Sequence, residues 1–119
     1  RILEGWKSPN YLYTPKKCRD LKILLRNYKL SDDVGYRFSA KWWGEWPLDA
    51  EKYSSWLSAT PGDTINIFMD YETFGEHHLE DTGIFWFLNA LPHQDLKWDN
   101  LEFSTPSEVV DRYYPRGEI

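Results

Sequence analysis

The pattern of apolar and polar positions divides the chain into short segments that predict alternating strands and helices. Three short runs of aliphatic, β-branched and aromatic residues predict strands; they are residues 21–28, 64–71 and 101–104. Three stretches with helical spacing or helix-start signals predict helices; they are residues 47–58, 81–90 and the segment that begins at Thr105. This alternation predicts an α/β fold, in which crossover helices connect the strands of a parallel sheet.

Two of the helices have specific start signals. Asp49 is the predicted N-cap of the first helix, and the turn residues Pro61 and Gly62 follow its end. Thr105 and Glu108 have the spacing of a capping box, with proline at the first helical position between them. The segment 31–47 has no clean period and predicts a long loop, in which Ser31 followed by two Asp is typical of a helix N-cap.

Length and composition exclude several classes of protein. The chain has 119 residues, the size of about one domain, and a hydrophobic fraction of 41% that argues against disorder. Its longest apolar run, residues 84–88, is far shorter than the ~20 residues of a membrane helix, so no membrane partner is expected. The net charge of −5 makes nucleic acid a poor partner. No secretory leader opens the sequence, which predicts a cytoplasmic location.

Aromatic residues and charges have an unusual distribution. Aromatics make up 18% of the residues, including seven Trp. Residues 1–52 carry 11 Lys and Arg against seven Asp and Glu, whereas residues 53–119 carry three against 12. Carboxylates among aromatic rings fit a sugar-binding cleft, where rings stack on sugars and carboxylates bind hydroxyl groups. An aromatic core beneath a solvated acidic face explains the same composition.

Two carboxylates lie at the end of the clearest predicted strand. Ligands of parallel α/β folds bind at the carboxyl ends of the strands. If residues 64–71 and the next residue form one strand, Asp70 and Glu72 share a face with their Cβ atoms ~6.6 Å apart. Paired carboxylates are the arrangement that acts on a glycosidic bond. The alternative is that both are solvent-facing residues that lead into a turn.

Two further clusters have more than one interpretation. The adjacent His77 and His78 lie among acidic residues, but their spacing is not that of a metal site, so they are expected to line a cleft or begin a helix and no metal is predicted. Trp42, Trp43 and Trp46 lie in the long loop. One or more of them are expected to cap a cleft or stack on a ligand, unless the loop packs on the rest of a larger domain.

Several segments together resemble a known enzyme family. Residues 68–78 (FMDYETFGEHH) and 80–85 (EDTGIF) closely resemble the fourth conserved region of glycoside hydrolase family 57, in its α-amylase branch. Other segments are similar to the same branch in the same order; they are residues 5–13 (GWKSPNYLY), 30–33 (LSDD), 37–39 (RFS), 45–48 (EWPL) and 101–108 (LEFSTPSE).

The resemblance implies a retaining α-glucan hydrolase on an incomplete seven-stranded (β/α) barrel, of which residues 1–119 form one C-terminal segment. It implies that Asp70 is the general acid/base. Further motif and aromatic positions are the candidate substrate-binding residues, which are Glu72, Phe74, His77, Trp43 and Trp46. The expected partner is an α-glucan or maltooligosaccharide, and no cofactor or metal is implied.

The resemblance also implies that the catalytic pair is incomplete in these residues. The family's nucleophile is a Glu in its third conserved region, which this sequence does not contain, and neither Glu4 nor Glu45 has the matching context. The rest of the barrel is therefore expected upstream and downstream, and the isolated chain is expected to be inactive. Two alternatives stay open: a non-catalytic carbohydrate-binding module, and a metal-dependent barrel hydrolase that uses Asp70 with His77 or His78.

Overall fold

The computed structural model describes residues 3–119 and is built from short helices and long connections. Within these residues the α-helices are α1 (Tyr28–Gly35), α2 (Ala50–Ala59), α3 (Ile84–Asp95) and α4 (Pro106–Arg112). Two single-turn 3₁₀ helices lie between α2 and α3, at Tyr71–Thr73 and Glu80–Thr82.

The chain forms two compact units. The first unit contains the described residues up to Asn27, together with Pro61–Ile67 and Phe103–Ile119. The second unit contains Tyr28–Thr60 and Phe68–Glu102. All the candidate site residues belong to the second unit. The single segment predicted from the sequence, residues 1–119, includes residues 1 and 2, which lie outside the described part.

In the first unit, a buried segment is held by backbone hydrogen bonds on two sides. Tyr13 exchanges two bonds with Ile23, with N–O distances of 3.3 and 2.8 Å. The next residue, Thr14, donates to the carbonyl oxygen of Gly117 at 3.0 Å and accepts from the amide of Ile119 at 2.9 Å. These bonds satisfy backbone groups that would be costly to bury without partners.

In the second unit, the core lies where α2 packs against α3. The rings of Tyr53 on α2 and Phe87 on α3 meet edge to face, 5.5 Å apart. The Tyr53 hydroxyl donates to the carbonyl oxygen of Leu30 on α1 at 2.6 Å. Burial raises the pKa of the Tyr53 phenol, and the nearby carboxylates of Asp33 and Asp95 raise it further. Tyr53 thus joins three helices as a neutral hydrogen-bond donor.

The predicted starts of α2 and α4 are confirmed. The Asp49 carboxylate accepts from the amide of Lys52 at 2.8 Å. Thr105 and Glu108 form a capping box, because the Glu108 carboxylate accepts from the Thr105 amide at 2.8 Å and the Thr105 hydroxyl accepts from the Glu108 amide at 3.2 Å. Each cap satisfies amides that the first helical turn leaves without partners.

The limits of α1 and α3 differ from the prediction. Ser31 lies inside α1 rather than at its N-cap, and its buried hydroxyl accepts from the backbone amide of Phe68 at 3.2 Å. The helix α3 begins at Ile84 and continues beyond Pro92 to Asp95. Proline removes one backbone donor, but the carbonyl oxygen of Pro92 still accepts from the Leu96 amide at 3.1 Å.

The three predicted strands are not formed in the described residues. Residues 24–27, 64–70 and 101–104 form no β-ladder. The β-pairing of the described residues is limited to isolated bridges such as Tyr13–Ile23. A strand requires a neighbouring strand that donates and accepts backbone hydrogen bonds along its length. Between Asn27 and Asn66, by contrast, there is one backbone hydrogen bond, from the Asn27 amide to the Asn66 carbonyl oxygen at 2.8 Å. The parallel barrel therefore stays a prediction. Within residues 3–119, helices are too short or too polar to cross a bilayer.

Candidate active site

Asp70 lies where the chain turns into a tight loop, here called the Asp70–His78 loop. It is the N-cap residue of the 3₁₀ helix Tyr71–Thr73 and its side chain is exposed. The amide of Thr73 donates to the carbonyl oxygen of Asp70 at 3.1 Å. Glu72 lies within this turn and is also exposed. The predicted common strand face of Asp70 and Glu72 is therefore wrong, because the chain leaves the extended conformation directly after Asp70.

Backbone hydrogen bonds close the loop on itself. The His77 amide donates to the carbonyl oxygen of Glu72 at 2.7 Å. The His78 amide donates to the carbonyl oxygen of Thr73 at 3.2 Å, and the Gly75 amide donates to that of His78 at 2.9 Å. Gly75 has a φ of +105°, and a Cβ there would lie 3.3 Å from a ring carbon of Phe85. The loop thus brings Asp70, Glu72, Phe74 and His77 together on one short, bonded turn.

His78 is the buried end of this loop, with a side chain only 4% exposed. Its Nε2 lies 3.1 Å from the carbonyl oxygen of Gly35. A carbonyl oxygen only accepts, so Nε2 donates to it, and Nδ1 pairs with the hydroxyl of Ser39. The ring also packs edge to face on Phe38, with centroids 5.7 Å apart. His78 is therefore a buried anchor between the loop and the end of α1.

The C-terminal end of α1 is also close to the residues that flank the turn. A Cβ at Gly35 would lie 3.7 Å from the Cβ of Met69 and 4.0 Å from the hydroxyl oxygen of Thr73. Met69 directly precedes Asp70, and Thr73 accepts the backbone bond from His78. The backbone that carries Asp70 is thus placed against Gly35 on both sides of the turn.

The structure argues against the use of His78 in a metal centre. Both ring nitrogens already have hydrogen-bond partners. Across the part of the chain that the structure describes, no three His, Cys, Asp or Glu side chains are grouped so that they could hold a metal ion. His77 is exposed beside Glu72 and Glu76, which suits a polar surface that contacts a ligand.

Trp43 and Trp46 have other partners. Trp43 is half-buried, meets Trp56 edge to face at 6.0 Å, and has the Arg37 guanidinium 5.8 Å from its ring centroid. The Nζ atom of Lys41 lies 5.7 Å from the ring centroid of Trp46, which is exposed. Each of the two rings therefore lies beside a cation of the second unit, Arg37 for Trp43 and Lys41 for Trp46.

Trp43 also lines a groove of about 370 Å³. One of its lining residues is Asp33, whose side chain is 1% exposed and lies 2.7 Å from Nη2 of Arg37 and 3.1 Å from Nζ of Lys29. The volume is in the range of small-molecule sites, and charged groups beside an aromatic ring can bind hydroxyl groups. The lining residues are Tyr28, Lys29, Asp32, Asp33, Arg37 and Trp43.

Two parts of this arrangement were not predicted from the sequence. The first is the groove, which the sequence could have indicated, because Lys29, Asp33 and Arg37 follow one another at the i,i+4 spacing of helical ion pairs. The anchor of His78 had only the second His of the motif as a signal, since its partners Gly35 and Ser39 are distant in sequence.

Comparisons with known proteins agree with the motif around Asp70. The model of glycosyl hydrolase family 57 matches residues 1–119. A protein of Methanocaldococcus jannaschii named "Putative alpha-amylase" is 61% identical over 115 residues, which cover 97% of this chain and 24% of that protein. The chain thus spans about a quarter of the length of this curated relative. No solved structure matches it. Because the family model covers the whole chain, the resemblance seen in the motifs is confirmed: the chain belongs to glycosyl hydrolase family 57.

Proposed function

We propose that this chain supplies the general acid/base of a retaining α-glucan hydrolase of the α-amylase type, and that Asp70 is that residue. The observation that carries the proposal is the position of Asp70. Its exposed carboxylate stands at the start of a loop that is closed by backbone bonds and anchored by a buried histidine. This loop is the segment that carries the family motif.

Two proton transfers by Asp70 describe the reaction. Asp70 protonates the glycosidic oxygen as the bond to the leaving sugar breaks. A carboxylate nucleophile attacks the anomeric carbon and forms a covalent bond to it. Asp70 then removes a proton from water, which attacks the same carbon and releases the nucleophile. We assign the nucleophile to a Glu outside residues 1–119, placed about 5–5.5 Å from Asp70 as in other retaining enzymes.

Substrate binding is assigned to side chains near Asp70 and to the groove. Glu72, Phe74 and His77 share the loop with Asp70, and we assign them to contact with the sugar at the cleavage point. Trp43 offers a ring beside the charged groups of the groove, and Trp46 offers an exposed ring. The proposed substrate is an α-glucan or maltooligosaccharide.

The barrel belongs to the same proposal. Segments that pair with residues 21–28 and 64–71 would supply the neighbours that these predicted strands need. Coverage of a quarter of the relative supports a role as one part of a larger catalytic barrel. We therefore expect no hydrolysis by residues 1–119 alone. A cytoplasmic location stays a prediction from the sequence.

The test compares the natural-length protein with its Asp70→Asn variant. Reducing-sugar release from a soluble maltooligosaccharide is expected to fall by about 10²–10⁴-fold, the usual contribution of general acid/base catalysis. Asp99→Asn is the matched control, because Asp99 is exposed in the second unit and lies outside the loop and the groove. Circular dichroism establishes that each variant is folded.

Two results would contradict the proposal. An Asp70→Asn variant that keeps the parent rate would remove Asp70 from the catalytic role. A folded parent that binds maltooligosaccharide without cleaving it would favour the carbohydrate-binding alternative, for which the groove beside Trp43 is the structural basis.

A further inference from the structure

The position of a proton donor matters as much as its chemistry. A displacement of about 1 Å can lower a rate by about 10²-fold. The Asp70 side chain is exposed, so its position depends on the backbone that carries it. What holds that backbone therefore bears on the reaction even without contact with the sugar.

Two backbone bonds connect Asp70 with the buried end of the loop. The carbonyl oxygen of Asp70 accepts from the Thr73 amide at 3.1 Å, and the carbonyl oxygen of Thr73 accepts from the His78 amide at 3.2 Å. Thr73 is itself only 2% exposed. A shift of His78 would therefore move Thr73, and with it the turn that begins at Asp70.

The His78 ring is held on three sides. It donates to the Gly35 carbonyl oxygen at the end of α1, forms a hydrogen bond with the Ser39 hydroxyl, and packs edge to face on Phe38. Phe38 in turn meets Phe87 of α3, with centroids 5.2 Å apart. The loop is thus bonded through one ring to a helix end and to the core of the second unit.

We propose that His78 is a positioning residue for Asp70, and this inference rests on the proposed function of Asp70. Its two ring hydrogen bonds fix the Asp70–His78 loop so that the carboxylate meets the glycosidic oxygen. His78 acts through Thr73 and exchanges no proton with the substrate. Loss of the ring bonds leaves the acid present but displaced.

The experiment uses two substrates that differ in their need for an acid. The sugar that departs from a maltooligosaccharide leaves as an alcohol, so its oxygen must receive a proton. In α-maltosyl fluoride the leaving group is fluoride, which departs without a proton. The ratio kcat/KM reports only the steps up to the glycosyl-enzyme, so the comparison isolates acid catalysis. It is measured in the natural-length protein.

His78→Phe keeps an aromatic ring but removes both hydrogen bonds. We expect its kcat/KM on the maltooligosaccharide to fall by about 10–10²-fold, while kcat/KM on the fluoride stays near the parent value. His78→Gln can still donate from its amide nitrogen to Gly35, so it should recover part of the loss. His93→Gln is the matched control, because His93 is exposed near the end of α3.

Asp70→Asn, measured in parallel, separates the two hypotheses. If Asp70→Asn loses maltooligosaccharide activity selectively and His78→Phe affects both substrates equally or neither, the positioning role is wrong and the function of Asp70 stands. If Asp70→Asn shows no selective loss, the proposed function itself fails. Should His78→Phe not fold, Ser39→Ala removes only the Nδ1 partner, and a selective or an equal loss decides the question in the same way.

Discussion

At the scale of single residues, Gly62 is the position where one added carbon has the largest effect. Its φ is +137°, and a Cβ there would lie 2.5 Å from the Cβ of Asn10 and 2.8 Å from its carbonyl oxygen. That oxygen accepts from the amides of Asp63 and Thr64 at 2.9 and 3.1 Å. Asn10 is buried, so neither side of this contact can move without breaking hydrogen bonds.

Gly62→Ala should therefore lower the free energy of unfolding by at least ~2 kcal/mol, from backbone strain and the contact with Asn10. Gly44→Ala is the control, since a Cβ at Gly44 would meet nothing within 4 Å. Urea unfolding of the two variants and the parent measures both effects. Equal stability of the two variants would show that this turn relaxes freely.

The sequence predicts a catalytic role for Asp70, which stays a prediction, but it does not reveal what holds the backbone of Asp70 in place. Asp70 could be found because its motif is contiguous and follows an apolar run. His78 was read as a cleft residue or a metal ligand, because the partners that define its role are 43 and 39 residues away in the chain. A tautomer is set by such distant partners, and no local pattern records them.

At the scale of elements, predictions succeeded where the signal is local. The starts of α2 and α4 depend on side chains within three residues of the cap, so Asp49 and Thr105 could be read directly. The helix α1 could not, because the apolar run before it favours a strand and its buried Ser31 is satisfied by the distant amide of Phe68. Tertiary contacts decide such segments.

Thr105→Ala tests the capping box of α4. The substitution removes the acceptor for the Glu108 amide and should destabilise this seven-residue helix by ~1 kcal/mol. Hydrogen exchange of the Val109 and Tyr113 amides, which close the helix, is the measurement. Ser107→Ala is the control, because Ser107 is exposed within the same turn. Similar exchange in both variants would mean that tertiary packing alone holds α4.

At the scale of the whole molecule, one buried carboxyl links stability to pH. Asp95, at the end of α3, is 6% exposed, and its Oδ1 and the Ser54 hydroxyl lack hydrogen-bond partners within the described residues. Burial raises the pKa of Asp95 above its ordinary value of 3.8. The folded protein thus binds this proton more tightly than the unfolded chain. Its contribution to stability is fully present below pH 3.8 and is lost as pH rises through the folded value.

Asp95→Asn should therefore be more stable than the parent at pH 7, by ~1 kcal/mol, because it removes a buried ionised group. The difference should shrink as pH falls to 3.8 and below, because the parent carboxyl becomes protonated. Thermal unfolding over this pH range, with Asp99→Asn as an exposed control, measures both effects. A destabilised Asp95→Asn variant at pH 7 would show that the ionised carboxylate has a stabilising partner.

The acidic surroundings of Asp70 have a consequence for the rate of encounter. Residues 68–94 carry five carboxylates and no Lys or Arg, and all five are exposed: Asp70, Glu72, Glu76, Glu80 and Asp81. The neutral glucan of the proposed function would offer no charge for this field to attract, so diffusion and shape alone would govern its arrival, and added salt would change kcat/KM little. Phosphorylated or sulfated oligosaccharides would be repelled at low ionic strength. Salt would relieve that repulsion as the Debye length falls to ~10 Å at 0.1 M.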